Sequence, residues 1–284
     1  MNLLCLADLH LGRRPSSRLP DDLAELLPSL GPAQAWRDAV DVAVRRGVDA
    51  VLLAGDVVEQ EDDFYEAYRE LRAGAERLTG AGIEVVAIAG NHDGEVLPRL
   101  VEQVPGVTLL GGGGRWERHP LQGRDGVAID VVGWSMPGAT YPRSPLEDGP
   151  SFARRRPTIG LLHGDRDGSG SAYAPFSSAD LRATDVDAWL LGHVHAPDAP
   201  HGERPIVYLG SPVGTDPGEP GPHGPWLVRV DAAGRLELEH LPIAPLRWEE
   251  ATVDVGGLAD ARAFEDAVVE ALEALEARIA RSAH

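Results

Sequence analysis

An α/β fold of two packed β-sheets with helices outside is predicted by three features of the sequence. Short apolar runs alternate with helical periodicity through the first two thirds of the chain, the pattern of strand–helix–strand units. After the glycine run at Gly111–Gly114 the pattern changes to six further strand-like runs, more than one sheet readily absorbs. Five of the runs end directly on Asp, Asn or His, where open α/β sheets gather their ligands.

Taken in order, Leu3–Leu6 reads as a strand and Ala33–Arg46 as a helix with apolar residues on one face. Ala50–Ala54 is a strand, Asp62–Thr79 a helix and Glu84–Ala89 a strand. Beyond the glycines, strands are expected at Val127–Trp134, Thr158–Leu162, Ala188–Leu191, Ile206–Leu209, Trp226–Val230 and Leu236–Leu241. Pro137–Pro157, rich in Pro, Gly and Arg, reads as a surface loop. Leu258–Arg281 reads as an amphipathic helix whose stripe is Phe264, Val268, Leu272, Leu275 and Ile279. The expected division is a main domain over 1–245 and a C-terminal strand plus helix over 246–284, which either covers the core or docks a partner.

Of the 284 residues 43% are hydrophobic, so a substantial core is expected. No apolar run is long enough for a membrane helix, and the first run is too short for a signal peptide, which predicts a cytoplasmic protein without a membrane partner. The single Cys5 lies inside an apolar run and reads as a buried, inert thiol. A net charge of −19 disfavours polyanions unless basic residues collect locally or metal ions intervene.

The chemistry sits after the strands. "LADLHLGRR" places Asp8 and His10 two apart, on one side of an extended chain. "VLLAGDVVE" adds Asp56, "VVAIAGNHDG" adds Asn91 and His92, "TIGLLHGD" adds His163, and "AWLLGHVHA" adds His193 and His195. Setting His92 aside, two aspartates, one asparagine and four histidines are too many for one ion and enough for two that share a carboxylate. Imidazole and carboxylate together suit Mn²⁺, Fe²⁺ or Zn²⁺, and with no cysteine available beyond the buried Cys5 a thiolate zinc site is excluded. His119, His201, His223, His240 and His284 stand apart from these clusters and are expected to be solvated.

In this order the motifs resemble the signature of the calcineurin-like metallophosphoesterases, over roughly Asn2–Leu209. More narrowly, "LADLHLGR" and "YLGSPVGTDPGEPGPHGPWLVRVD" look like segments of the Mre/SbcD DNA-repair nucleases, and "SAYAPFSSADL" with "DAWLLGHVHAP" resembles the YhaO-like bacterial branch. The resemblance implies a four-layer sandwich with two mixed sheets flanked by helices. It implies two divalent ions, manganese first, with Asp8, His10 and His195 on one, Asn91, His163 and His193 on the other, and Asp56 between them. A hydroxide bridging the ions would be the nucleophile, and His92 the proton donor, oriented by Asp93 or Glu59. Arg13 and Arg14 are candidates to meet a substrate phosphate. The implied activity is that of a DNA exonuclease or endonuclease, with DNA as substrate, an SbcC-like coiled-coil ATPase as partner and a homodimer left open. Two alternatives stand beside it: a phosphoesterase of small nucleotides or phosphoesters, favoured by the acidic stretch Glu59–Asp63, and a non-catalytic binding subunit.

Overall fold

The computed structural model describes residues 1–147 and 156–282; part of the expected loop Pro137–Pro157 and His284 lie outside the described residues. The chain divides into two compact units, Met1–Arg247 and Trp248–His284.

The first unit is built on two mixed sheets. In chain order its strands are β1 (Asn2–Leu6), β2 (Ala50–Ala54), β3 (Glu84–Ile88), β4 (Val107–Leu109), β5 (Trp116–Gln122), β6 (Ala128–Trp134), β7 (Thr158–His163), β8 (Ala188–Gly192), β9 (Ile206–Tyr208), β10 (Trp226–Val230) and β11 (Leu236–His240). One sheet runs β11-β10-β1-β2-β3-β4 and the other β5-β6-β7-β8-β9. β1 to β4 are mutually parallel, with β10 and β11 added antiparallel; β6 to β9 are parallel, with β5 antiparallel at the edge.

The helices are α1 (Pro32–Arg46), α2 (Phe64–Gly80), α3 (Val96–Val101) and α4 (Ser178–Arg182). Strand alternation explains the layers. In β1, Leu4 and Leu6 join the cluster that holds Trp36 of α1 and Leu71 and Leu78 of α2. Leu3 and Cys5 face the other way, toward Ile129, Leu161 and Leu190 of the second sheet. Val51 and Leu53 of β2 split from Leu52 and Ala54 in the same manner. Strands covered on both faces must be apolar throughout, which is why they read as unbroken runs. The outer face of the second sheet packs Trp134, Leu162 and Trp189 against Phe176 and Leu181, the latter in α4. Burial pushes the Cys5 thiol far up, so it stays protonated and inert.

Several boundaries differ from expectation. Glu61–Asp63 forms a separate 3₁₀ turn, and α2 begins only at Phe64. β4 and β5 were not expected: β4 has only three residues, and β5 alternates no apolar side chains, since it lies at a half-exposed edge. Glu84 of β3 and His119 of β5 pair at 3.2 Å, and Trp226 stacks at 4.8 Å on His240, whose proton affinity burial lowers to about 4.

The second unit carries helix α5 (Ala261–Ser282). The strand expected within 246–284 is not formed among the described residues beyond a single-residue bridge at Trp248. Asp254 instead accepts from the Gly256 amide at 2.9 Å and turns the chain. Phe264 and Leu272 of the expected stripe are about half exposed. No helix among the described residues is long and apolar enough to cross a membrane.

Candidate metal centre

All seven expected ligands meet at the C-terminal ends of β1, β2, β3, β7 and β8. Asp8 and His10 do not get there by strand alternation, as the sequence suggested. β1 ends at Leu6, and both residues sit in left-handed backbone, with φ of 51° and 49°. Asp56 at 49° and His193 at 103° do the same. Each such conformation costs a non-glycine residue about 1–3 kcal/mol and persists only where its surroundings hold it. Here the hold is a ladder that continues past the strands: Asp8 donates its amide to Gly55 O at 3.1 Å, His10 to Asp56 O at 2.8 Å and Leu11 to Val57 O at 2.9 Å.

The glycines before the ligands make room. A Cβ on Gly90 would lie 2.2 Å from Asp56 Oδ1, and one on Gly55, itself at φ 91°, would lie 2.4 Å from His163 Nδ1.

Each histidine is fixed by its outer nitrogen. His10 Nδ1 lies 2.7 Å from Glu59 Oε2, somewhat off the hydrogen-bond line. His195 Nδ1 lies 2.6 Å from Glu219 Oε1, His163 Nδ1 is 3.1 Å from Ala54 O, and His193 Nε2 is 3.2 Å from Asp165 Oδ1. Carboxylates and carbonyls only accept, so the outer nitrogen is the donor in each ring once it is neutral, and the neutral ring then presents the lone pair of its inner nitrogen to the centre. Those lone pairs face more acceptors. His10 Nε2 and His195 Nε2 stand 3.1 Å apart. His163 Nε2 is 3.1 Å from Asn91 Oδ1 and 3.2 Å from Asp56 Oδ2, and His193 Nδ1 is 2.9 Å from the same Asn91 oxygen. Asp8 Oδ2 is buried with no partner, while Oδ1 takes the His193 amide at 2.9 Å.

A pocket lined only by acceptors calls for cations, and imidazole with carboxylate suits a divalent transition ion. Asp8, His10 and His195 offer one set of converging atoms, and Asp8, Asp56 and His163 a second. Without an ion, protons are the counter-charge. Burial opposes charge on both partners, yet each charge favours the other: the Asp56 carboxylate lifts the His163 imidazole to about 9, and His163 holds Asp56 well below the usual carboxylate range. Metal binding therefore releases protons.

His92 is apart from this inward set. Its backbone amide donates to Asp56 Oδ1 at 2.9 Å, but its ring is exposed at the mouth, edge-on to His10 at 4.8 Å. Glu59 is its neighbour, through the backbone carbonyl at 2.8 Å from Nδ1 rather than the carboxylate at 4.0 Å. Asp93 does not orient it. Asp93 is buried, accepting the amides of Val57 at 2.6 Å, Val58 at 3.2 Å and Gly90 at 2.7 Å, so it ties the loop after β2 to the loop after β3. Burial and the nearby Asp56 raise this carboxyl to about 7. Arg13 reaches toward Glu219 at 3.7 Å, and exposed Arg14 lines a neighbouring cavity of about 750 Å³.

Three positions were missed. Glu219 and Asp165 brace metal-facing histidines, and His223 is buried rather than solvated, bonding Ser211 O at 2.9 Å and Glu219 O at 3.1 Å. His223 thus props the loop that carries Glu219. The sequence signs were "YLGSPVGTDPGEPGPHG" for Glu219 and His223 and the last residue of "TIGLLHGD" for Asp165. Burial opposes ionisation of Glu219, but the His195 hydrogen bond prevails and holds its carboxyl at about 2. Glu219→Gln keeps an acceptor and removes the charge. Manganese affinity, read by titration calorimetry, is expected to fall about 10–100-fold with the melting temperature of the metal-free protein retained. Unchanged affinity would show that Glu219 only packs the loop.

Residues 1–197 match the model of the calcineurin-like phosphoesterases, and the chain belongs to that family. It is 32% identical over 262 residues to the uncharacterized metallophosphoesterase YhaO of Bacillus subtilis, covering 88% of this chain and 62% of that protein. It is 29% identical over 241 residues to the DNA double-strand break repair protein Mre11 of Aeropyrum pernix, covering 73% of this chain and 52% of that one. To Mre11 of Methanopyrus kandleri it is 25% identical over 282 residues, 90% of this chain and 60% of the relative. The chain thus spans between 52% and 62% of the length of these relatives. Among solved structures, a dimetal phosphatase from Danio rerio matches with a TM-score of 0.51 and 12% identity, over 87% of this chain and 97% of that one, a likeness of fold. The family is one of phosphoesterases, and the converging Asp and His side chains of this chain fit divalent ions.

Proposed function

We propose that this chain is a dinuclear phosphodiesterase whose substrate is DNA. The observation that carries the metal reading is the set of outer nitrogens: all four imidazoles are turned by acceptors so that their lone pairs converge. Asp8, His10 and His195 would hold one ion and Asn91, His163 and His193 the other, with Asp56 within reach of both sets. Two such ions, when bound, would supply a nucleophile at neutral pH and neutralise charge on the phosphoryl oxygens. The chain's own residues do the rest. Asn91 and Asp56 fix the spacing of the two sets, Glu59 and Glu219 keep the imidazoles aimed, and His92 at the mouth delivers a proton to the departing oxygen. Arg14, four residues after His10 and exposed in a separate cavity with Gly12 and Glu66, is the candidate to meet a substrate phosphate.

DNA is favoured over other diesters by the likeness to two Mre11 repair proteins. Against it stand Glu59, Glu61 and Glu95 along the cleft beside His92, which favour a small substrate. A panel with Mn²⁺ decides between them: single-stranded DNA, duplex ends, cyclic nucleotides and a chromogenic diester. DNA cleavage is expected, weak because the cleft repels the backbone and steeper in its salt dependence for duplex. Efficient hydrolysis of cyclic nucleotides with none of DNA would overturn the nuclease reading.

A further inference from the structure

The loop between His163 and α4 brings an aromatic side chain to the edge of the metal centre and leaves it uncovered. The Tyr173 ring centre lies 5.2 Å from that of His193, tilted by 39°, and 38% of the residue is exposed. It lines a cleft of about 430 Å³ together with Asn91, His92, Ala139 and Thr140. The ring therefore rests, tilted, against a metal-facing histidine while part of it faces open space beside the expected proton donor.

The backbone under Tyr173 is held more firmly than a surface loop needs. Tyr141 donates its amide to Ala172 O and accepts from Ala174 N, both at 2.7 Å. Asp165 donates its amide to Tyr173 O at 2.9 Å, and Tyr173 donates its own to Ser171 Oγ at 3.0 Å. Ser171 in turn hydrogen-bonds Asp165, the carboxylate that turns His193. Ala174 takes a left-handed φ of 43° to complete the turn, a strained choice for a residue with a Cβ. The same short loop thus orients His193 and presents the ring at a fixed height.

We propose that Tyr173 is a stacking platform for a nucleobase of the substrate, setting preference for nucleotide diesters over diesters without a base. The proposal rests on the phosphodiesterase reading of the site. The cleft's charge supports a neutral occupant. Glu59, Glu61 and Glu95 line it, so a second phosphate is disfavoured there and the scissile phosphate is left to the metals. What enters must gain affinity by shape and π-contact. A base offers a flat face to the ring and polar edges to the Thr140 hydroxyl. Stacking is tolerant of base identity, as a nuclease without sequence preference requires.

Binding of thymidine 5′-monophosphate and of its base-free analogue, 2-deoxyribose 5-phosphate, measured by calorimetry on the Mn²⁺-loaded protein, tests this directly. The wild type is expected to bind the nucleotide about tenfold tighter or better, the range of one base–aromatic contact. Tyr173→Leu should erase that preference while leaving sugar-phosphate affinity and manganese content unchanged, and Tyr173→Phe should keep it. No preference in the wild type overturns the proposal. So does an equal loss for both ligands in Tyr173→Leu, which would make the ring a prop for His193 alone. If Tyr173→Leu melts early, loss of the preference in the well-folded Tyr173→Phe counts against stacking, because phenylalanine keeps the π-face. A base preference that survives in a protein unable to cut DNA would sink the DNA reading and leave this one standing.

Discussion

Asp56→Asn is expected to leave a folded protein that binds at most one manganese ion and has lost about 10³-fold or more of its turnover. Asp56 Oδ1 receives the His92 amide at 2.9 Å while Oδ2 faces His163 Nε2 at 3.2 Å and His10 Nε2 at 3.9 Å. The amide can keep its oxygen on the His92 amide, so the loop after β3 stays in place. Its NH₂ group then points donors into a pocket that otherwise holds only acceptors. A cation loses its central anion and meets a partial positive charge instead. Losing several kcal/mol of stabilisation of the charge developing on the phosphoryl group gives a rate loss of that size. Metal content per chain and the rise in melting temperature on adding Mn²⁺ are the readouts. Two ions retained in Asp56→Asn would remove Asp56 from its shared position.

The left-handed backbone at Asp8, His10, Asp56 and His193 belongs to the same account. A fold selected for stability alone would place glycine or asparagine at such turns. Here charged and imidazole side chains occupy them, because only that backbone turns each ligand back over the strand end. Asp93 contributes by taking three amides from the loops after β2 and β3, which keeps Asp56 and Asn91 in register.

Much of this was legible in the sequence, for identifiable reasons. Strands buried on both faces must be apolar throughout, so β1, β2, β3, β7 and β8 announce themselves as runs, and polar residues straight after such runs stand out. What escaped lacks a local signal. β5 is an edge strand with a mixed pattern, and β4 is three residues long. Glu219 lies 24 residues beyond His195, inside a Gly- and Pro-rich stretch that reads as an ordinary loop. His223 is buried because the loop after β9 folds back on itself, a tertiary fact that no residue near it encodes. Asp93 adjoins His92 in sequence, and that adjacency suggested an orienting role; its neighbours in space are backbone amides instead.

His92→Gln is expected to keep both ions and to lose about 10²–10⁴-fold in turnover on DNA, the usual contribution of a positioned general acid. What ties His92 to the metal set is its backbone amide on Asp56, which glutamine supplies equally well. Its ring stands edge-on to His10, while Asn91 Oδ1 is met by His163 and His193. The Glu59 carbonyl, 2.8 Å from Nδ1, keeps a proton on that nitrogen, so a general acid here acts as the imidazolium, giving its Nε2 proton to the departing oxygen and returning to the neutral Nδ1–H ring. Protonation matters most when the departing oxygen is a poor leaving group, as the sugar alkoxide of DNA is. A nitrophenolate leaves readily without it. The loss on a nitrophenyl diester should therefore be much smaller than the loss on DNA, with metal content unchanged in both assays. An equal loss on the two substrates would mean that His92 shapes the site rather than donating, and a lost ion would make it a ligand through the group it forms with His10 and Glu59.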